Sequence, residues 1–349
     1  VPLTGGGSSL RMSVPIEPEL LDASQKLMRA LNWHGVAMVE FKWNPADRSY
    51  SLMEINGRFW GSLPLAIAAG ADFPAMLYEL LTTDSIATRP AAKTGVYCRK
   101  LSSDLYWHEM VLRRDAPANL VRFPSNGQIL KDVLLTFLPR HHFDVQQWRD
   151  LKPGLIDLGR IARSYYERIA RLRAERRERR HQLSAWQNGL VANHLKQGNQ
   201  VLFVCYGNIN RSSLAERYFS KIAPNTALKV LSAGFHDEAG RPADPVMKEV
   251  AGEAGIDLKA WSSRQLNAEM LAQSSVVFVM ELKHLQRIQQ EFPQAAAKTF
   301  LLNAGARVDK QIEIPDPYGK ERVIYQKVCS QVMRCVELVA KLTTDAPVN

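Results

Sequence analysis

The chain has 349 residues, of which 46% are apolar and 23% charged, and its formal net charge is +10. That length and composition provide for about two hydrophobic cores. Four scattered cysteines and the lack of Cys/His clusters at zinc spacing exclude a disulfide framework and a structural zinc site. No apolar run reaches the roughly 18 residues of a membrane span, and no leader is evident, so we predict a reducing, cytoplasmic setting.

The first predicted elements are two strands of a hairpin, "HGVAMVEFKW" and "SYSLMEIN", joined by the turn formers of "NPADR". If they pair, Glu40 and Glu54 lie on neighbouring strands, and Asn56 follows Glu54 on the same face. Two carboxylates and an amide oxygen suit a Mg²⁺ that carries nucleotide phosphates. The alternative is a solvated hairpin face.

The segment from "VEFKW" through "LMEINGRFWGSLPLAIAAGADFPAMLYELL" resembles the C-terminal catalytic lobe of ATP-grasp ligases, which join a carboxylate to an amine through an acyl phosphate. The resemblance covers about residues 1–81. It implies that a complete domain uses Mg²⁺ and ATP. Metal ligands would be Glu40, Glu54 and Asn56, and Arg11 and Arg58 would face the phosphates or the acyl phosphate.

The lobe that carries the adenine-side lysines should lie upstream of Val1 in such a ligase. The chain opens on Val rather than Met, so we expect an upstream part of the gene product to be missing. The corresponding hypothesis is that this chain alone does not bind ATP with useful affinity.

A basic block, "RIARLRAERRERRH", carries much of the positive charge and follows apolar residues at helical spacing. We predict a helical linker at residues 154–198, between a partial ATP-grasp-like domain at 1–153 and a second domain at 199–345. A nucleic-acid or acidic-membrane contact is the alternative, which the absence of interleaved aromatic residues does not favour.

Beyond the linker, strand-like runs ("QVLFVC", "LKVLSAG", "SSVVFVM", "KTFLL") alternate with helical segments. This alternation predicts a doubly wound parallel sheet. The expected fold class is therefore α/β, with a phosphate-binding loop in the C-terminal sheet domain and an N-terminal α+β lobe.

The stretch "CYGNINRSSLAERYF" places Cys205 at the C-terminal end of a strand and a helix soon after it. Gly207 and Asn208 tolerate the left-handed backbone that turns successive N–H groups inward, and such a nest binds phosphate and favours a thiolate. Arg211 offers a planar fork for two phosphoryl oxygens, and Ser212 can donate to the sulfur and is expected to cap the helix. The alternative is a buried, inert thiol.

A proton donor for a leaving oxygen is predicted far downstream, in "IEIPDPYGK". Asp316 lies there between two prolines that stiffen its loop. The simpler interpretation of Asp-Pro is a turn, and a rigid turn also presents a carboxylate well.

These motifs, with "SAG", "GIDL", "SRQL" and "VVFVM" in order between them, resemble the low-molecular-weight protein tyrosine phosphatases over about residues 200–342. The family needs no cofactor. The resemblance implies that Cys205 forms a phosphocysteine, that Arg211 and the loop amides hold the phosphoryl group, and that Asp316 acts as acid and then as base. Loop support would come from Tyr206, Gly207, Asn208, Ile209, Asn210, Ser212 and Ser232, and the entrance would be walled by Tyr206, Ile209 and Tyr318.

Three positions depart from the family pattern. Asn210 replaces a frequent second cysteine, so a protective disulfide is not expected. Ser213 replaces a proline, which is expected to loosen the entry to the helix. Trp261 replaces a histidine, from which we expect a weaker polar network around the loop.

We therefore predict a phosphotyrosine phosphatase attached to an incomplete ATP-grasp lobe, acting on phosphotyrosine proteins or small aryl phosphates; phosphoarginine stays open. The alternative is an ATP-dependent ligase whose phosphatase half is regulatory or serves the same pathway. Arsenate reduction needs a relay of thiols, whereas Cys329 and Cys335 lie in a late helical stretch and are interpreted as core. A non-catalytic phosphate-binding module is the last alternative. Neither a membrane span nor a nucleic-acid partner is predicted.

Overall fold

The computed structural model describes residues 8–87, 91–114, 123–136 and 138–344. The chain divides into two compact units, Val1–Glu167 and Arg168–Asn349. Within the described residues, none of the helices has both the length and the apolar content that crossing a membrane would need.

The first unit combines short strands with helices, as expected for an α+β lobe. Its elements in chain order are β1 Leu10–Met12, α1 Pro18–Ala30, β2 Met38–Asn44, β3 Ser49–Asn56, α2 Leu63–Ala68, α3 Phe73–Thr83, β4 Tyr97–Arg99, α4 Leu101–Arg113, α5 Asn126–Leu135, β5 His141–Phe143 and the start of α6 Leu151–Gln187. Strand β4 is antiparallel to β1 and parallel to β5.

Strands β2 and β3 form the predicted antiparallel hairpin, which is thereby confirmed. Side chains of the turn hold its backbone: Asn44 Oδ1 accepts from the N–H of Ala46 at 3.2 Å, and Asp47 Oδ1 accepts from the N–H of Ser49 at 2.9 Å. A register shift follows Glu40. The turn chemistry read from "NPADR" therefore accounts for the hairpin.

The second unit continues from the end of α6 and alternates strands with helices. Its further elements are α7 Leu190–Lys196, β6 Gln200–Cys205, α8 Arg211–Ile222, β7 Lys229–Gly234, α9 Pro245–Glu253, α10 Ala268–Gln273, β8 Val276–Val279, α11 Leu282–Glu291, β9 Thr299–Leu301, α12 Asn303–Ala306 and α13 Arg322–Thr344. Two 3-10 turns lie at Pro293–Lys298 and Val308–Lys310.

Four parallel strands in the order β7-β6-β8-β9 form the sheet of this unit. Side chains of β6 alternate between two cores: Phe203 and Cys205 pack on the side of α8, α9 and α13, whereas Leu202 and Val204 pack on the side of α10 and α11. Helices cover both faces, which confirms the predicted doubly wound sheet.

The end of α6 and the helix α7 pack against this sheet. Ala185, Val191 and Leu195 are buried in its core. The indole Nε1 of Trp186 donates to the carbonyl of Leu301 at 3.0 Å. The C-terminal part of residues 154–198 is thus helical and in contact with the sheet, while the limits 1–153, 154–198 and 199–345 stay a prediction.

Strand β6 lies between β7, which follows it in the chain, and β8, which comes after β7. The direction of winding therefore reverses at β6. Open parallel sheets bind ligands at such a switch point, beyond the carboxyl ends of the strands. Cys205 ends β6, so the fold places it where a ligand site is expected.

Candidate active site

The loop after β6 turns the chain from Cys205 into α8, which begins at Arg211. Asn208 adopts the left-handed region, with φ +52°. Asparagine tolerates this region better than most residues because its short side chain bonds locally. The sequence also predicted a left-handed backbone at Gly207. That prediction is wrong, because the φ of Gly207 is not positive.

The thiol of Cys205 is 2% exposed and lies inside this loop. Its Sγ is 3.0 Å from the hydroxyl of Ser212, and the N–H of Asn208 donates to it at 3.2 Å. Among the described residues, the N–H groups of Gly207, Ile209 and Asn210 meet no protein acceptor. Unpaired N–H groups at a helix N-terminus form a nest that can bind an anion beside the sulfur.

The predicted capping role of Ser212 is wrong. The N-cap of α8 is Asn210, which makes no side-chain capping bond, and Ser212 is the second residue of the helix. Its hydroxyl instead contacts Cys205 and Asn208. The first N–H groups of the helix are therefore not satisfied by a side-chain cap, which suits an anion site.

The side chain of Asn208 bonds to Ser212 and Ser232, which were predicted to brace the loop together with it. Its Nδ2 donates to Ser212 Oγ at 2.9 Å and to Ser232 Oγ at 2.8 Å, and its Oδ1 accepts from the N–H of Arg264 at 2.8 Å. The Asn208 side chain has no exposed surface. Because a buried amide is costly when unpaired, this set of bonds fixes the loop conformation.

The glycine of "SAG" allows β7 to approach the loop. A Cβ on Gly234 would lie 2.6 Å from the carbonyl oxygen of Tyr206 and 2.8 Å from the nitrogen of Asn208. Real Cβ atoms do not tolerate such contacts, and both neighbours are backbone atoms that cannot move aside. Gly234 is thus required by close packing.

Arg211 is 1% exposed and lies between the loop and two carboxylates. Its Nη1 donates to Glu281 Oε2 at 2.6 Å and to the carbonyl of Ile314 at 2.8 Å, and its Nη2 is 2.8 Å from Asp316 Oδ2. Burial raises the pKa of Glu281, but Arg211 and Lys283 outweigh it and hold that pKa below its ordinary value. The anionic Glu281 therefore fixes the orientation of the guanidinium.

One cavity of about 190 Å³ connects these groups. It is lined by Cys205, Tyr206, Gly207, Ile209, Asn210, Arg211, His236, Arg241, Asp316 and Tyr318. The three predicted catalytic side chains thus open into one space, with the predicted entrance residues around it. Tyr206 and Tyr318 are 49% and 66% exposed, so both rings lie at the mouth.

Comparison with known proteins agrees with this geometry. The family model "Low molecular weight phosphotyrosine protein phosphatase" matches residues 200–348. The low molecular weight protein-tyrosine-phosphatase Etp of Escherichia coli is 35% identical over 143 residues, which are 41% of this chain and 93% of Etp. The chain belongs to the low molecular weight protein-tyrosine-phosphatases.

Two further relatives match the same phosphatase part. Wzb of Escherichia coli is 35% identical over 136 residues, which are 39% of this chain and 89% of Wzb. A solved structure of Vibrio vulnificus Wzb in complex with benzylphosphonate is 33% identical, covers 41% of this chain and 97% of that chain, and has a TM-score of 0.38.

The N-terminal part has a match of its own. A family model described as "ATP-grasp in the biosynthetic pathway with Ter operon" matches residues 5–103. The predicted fusion of a partial ATP-grasp lobe to a phosphatase domain is therefore confirmed.

The two glutamates predicted as metal ligands in the ATP-grasp lobe occupy paired positions of the hairpin. Glu40 and Glu54 are register partners in the hairpin, and Asn56 Nδ2 donates to Glu54 Oε1 at 2.6 Å. Two like charges at paired positions repel, and a cation between them relieves that repulsion. Mg²⁺ commonly uses one or two carboxylates together with nucleotide phosphates, so these residues fit the ion, and their role as ligands stays a prediction.

The two arginines predicted to face phosphates have other partners. Arg11 donates to the carbonyl of Gly61 and pairs with the carboxylate of Asp144, and Arg58 donates to the carbonyl of Phe59. In the described part of the chain, no hydrogen bond or ion pair links either arginine to Glu40, Glu54 or Asn56. Their phosphate contacts stay predictions.

Two residues that support the phosphatase site, Glu281 and Arg241, were not predicted from the sequence, and Trp261 makes a supporting bond that was not expected. Glu281 follows the strand "VVFVM", and the end of a neighbouring parallel strand was an available signal. Arg241 donates to the carbonyl of Gly207 at 2.8 Å, so it turns that carbonyl away from the nest. Trp261 was expected to weaken the network, but its Nε1 donates to the carbonyl of Asn208 at 2.7 Å.

Proposed function

We propose that the phosphatase domain hydrolyses phosphotyrosine and related aryl phosphates through a covalent phosphocysteine, without a metal ion. The observation that carries the proposal is that Cys205, Arg211 and Asp316 line one cavity. Arg211 is in contact with the carboxylate of Asp316 and lies next to the nest of N–H groups around the thiol. A phosphoryl group held by Arg211 would therefore lie next to the nucleophile Cys205 and the acid Asp316.

In the first step the Cys205 thiolate attacks phosphorus and forms an S–P bond while the P–O bond to the aryl group breaks. Asp316, protonated, gives its proton to the leaving phenolate oxygen. The negative charge on the equatorial oxygens is met by Arg211 and by the loop N–H groups, which are preorganised because Asn208 is held by its bonds.

In the second step water attacks the phosphocysteine and the S–P bond breaks. Asp316, now ionised, takes a proton from that water, and inorganic phosphate and the Cys205 thiolate are released. The hydroxyl of Ser212, 3.0 Å from Sγ, can donate to the departing thiolate and so lower its basicity. One carboxyl group thus serves as acid and then as base.

The entrance favours a flat ring. Tyr206 and Tyr318 line the mouth, and Tyr206 is in edge contact with His236. Aromatic side chains bind aryl groups by offset or edge-to-face contact. A phosphotyrosine side chain fits this description better than the flexible guanidine of phosphoarginine, and cytoplasmic localisation stays a prediction.

The test is a panel of phosphotyrosine, phosphoserine and phosphoarginine peptides with p-nitrophenyl phosphate, assayed in EDTA. We expect the aryl phosphates to be turned over. Cys205→Ser should lower kcat at least about a thousandfold while phosphate still binds, because the oxyanion nest and Arg211 remain.

Cys329→Ser is the matched control. Cys329 is also buried, but it lies in α13, and burial raises the pKa of its thiol to about 11. We expect this variant to keep its turnover. Full activity of Cys205→Ser, or activity that vanishes in EDTA, contradicts the proposed mechanism.

For the ATP-grasp lobe we propose that Glu40 and Glu54 hold Mg²⁺ when a complete domain binds ATP. The ion would neutralise nucleotide phosphates during formation of an acyl phosphate. The pairing of Glu40 with Glu54 in the strand register of the hairpin supports this. Calorimetry with Mg²⁺ and ATP tests the two parts separately. Micromolar affinity of this chain would contradict the hypothesis of an incomplete site. In a domain completed by its upstream lobe, equal Mg²⁺–ATP binding by wild type and Glu40→Gln would contradict the ligand role.

A further inference from the structure

A second cavity adjoins the catalytic one in the phosphatase domain. Its volume is about 400 Å³. It is lined by Tyr206, Phe235, Lys283, His284, Arg287 and Asp316. Because Tyr206 and Asp316 line both cavities, a substrate with its phosphoryl group at Cys205 would extend past them into this space.

Two cations of helix α11 line the second cavity. Lys283 and Arg287 are one helical turn apart, so they share a face of the helix. Their side chains are 63% and 40% exposed, which leaves them accessible to a ligand. The guanidinium of Arg287 lies over the ring of Phe235, 4.6 Å from its centroid, and this contact holds it in place.

Each of these two cations has one carboxylate partner and keeps donors for a further acceptor. Glu281 is 2.9 Å from Lys283 Nζ and also accepts from Arg211 at 2.6 Å, while Arg211 has Asp316 as a second carboxylate partner at 2.8 Å. Arg287 uses its Nε for Glu291 at 2.7 Å. Among the described residues no acceptor is bonded to the terminal nitrogens of Arg287, so its fork is available.

A buried histidine without hydrogen bonds also lines the cavity. His284 is 2% exposed, and neither ring nitrogen has a partner among the described residues. The nearest carboxylate, Glu281, is 3.7 Å from Nε2. Burial and the nearby Arg211 lower the pKa of His284 to about 3, so the ring is neutral and offers one N–H donor. Buried polar groups in native proteins nearly always have a partner, so an unpaired one beside a cavity points to a polar ligand.

We propose that this cavity is a second subsite that binds an anionic group of the substrate, a carboxylate or a phosphate carried by the same peptide as the phosphotyrosine. Lys283 and Arg287 supply the charge; neither ring nitrogen of His284 has exposed surface, so its N–H reaches the anion only when the ring turns toward the cavity. The preferred substrate is then a phosphotyrosine segment with an acidic neighbour. This inference rests on the proposed phosphatase function.

The test uses three peptides that share one phosphotyrosine. Its neighbours on both sides are alanine in the first, glutamate in the second and phosphonomethylphenylalanine, a phosphotyrosine mimic that is not hydrolysed, in the third. We expect kcat/KM of the full chain to be about tenfold higher on an acidic peptide than on the alanine peptide at low salt, and the difference to shrink at high salt. If the glutamate peptide has the higher kcat/KM, the subsite binds a carboxylate; if the peptide with the phosphotyrosine mimic has it, the subsite binds a phosphate.

Arg287→Gln is the cleaner variant, because Lys283 also contacts the carboxylate that orients Arg211. We expect it to lower the ratio of acidic to neutral kcat/KM about three- to tenfold, and Arg287→Lys to recover part of that ratio. Lys229→Gln is the control, since Lys229 begins β7 at the end of the sheet opposite to the active site.

Two outcomes would overturn the inference. If the alanine peptide and p-nitrophenyl phosphate are hydrolysed but the acidic peptides gain nothing, the subsite is wrong and the phosphatase function stands. A uniform loss by Arg287→Gln on all substrates has the same meaning. If no aryl phosphate is hydrolysed at all, the proposed function fails together with the subsite.

Discussion

The indole Nε1 of Trp261 donates a hydrogen bond of 2.7 Å to the backbone carbonyl of Asn208, the left-handed residue of the cysteine loop. This bond holds the carbonyl away from the thiol, while the N–H of the same residue donates to Cys205 Sγ at 3.2 Å. Trp261 is 5% exposed, and guanidinium groups of Arg217 and Arg264 lie over its ring. The indole is thus fixed on the outer side of the loop.

Trp261→Phe should lower kcat on aryl phosphates about five- to tenfold, because removal of one buried hydrogen bond costs about 1 kcal/mol and here loosens the nest. Steady-state kinetics with p-nitrophenyl phosphate measure it. Trp186→Phe is the matched control: its Nε1 also donates to a backbone carbonyl, that of Leu301, at 3.0 Å and away from the loop. Equal losses of kcat in both variants would argue against a specific role of Trp261.

Asp316→Asn should slow substrates with poor leaving groups most. A phenolate of high basicity needs the proton of Asp316 in the transition state, whereas nitrophenolate needs little help, so we expect losses of about a hundredfold and less than tenfold, respectively. A series of substituted phenyl phosphates measures the dependence of kcat/KM on leaving-group pKa. Asp257→Asn, an exposed residue whose carboxylate bonds to the N–H of Lys259, is the control. Equal losses across the series would contradict the role of Asp316 as the acid.

His284 makes the stability of the phosphatase domain depend on pH. Burial, with Arg211, lowers its folded-state pKa to about 3, while an unfolded histidine has a pKa of about 6.5. The free energy of unfolding is therefore unaffected by His284 above about pH 6.5. It falls as the pH is lowered toward 3, by about 2 kcal/mol between pH 7 and 5, because only the unfolded histidine takes up a proton. Glu281 opposes this shift, and Lys283 and Arg287 add to it.

Native-state hydrogen exchange of the β6 and β8 amides at pH 7 and 5 measures that loss in the wild type and in His284→Phe. We expect the loss to be smaller in the variant by about 2 kcal/mol, because phenylalanine does not titrate. An identical pH dependence in both proteins would mean that folding does not lower the pKa of His284. A His284 imidazole signal in the NMR spectrum that titrates between pH 7 and 5 would mean the same.

Local sequence was sufficient for the secondary-structure elements and for the position of the cysteine loop. Alternating apolar runs and turn formers fixed the parallel strands and the hairpin, since periodicity and turn preference are local properties. The strand, the cysteine, the loop and the helix follow one another within a dozen residues, so the place of Cys205 and Arg211 could be read directly.

The tertiary structure alone decided which distant residues complete the site. Glu281 and Asp316 are 70 and more residues from Arg211, and only the order of strands in the sheet brings them to its guanidinium. Local preference also misassigned Ser212, because a serine at a helix start usually caps it, whereas here its hydroxyl is used by the thiol. The second cavity likewise exists only because α11 packs its cations beside the catalytic entrance, a contact that no sequence period encodes.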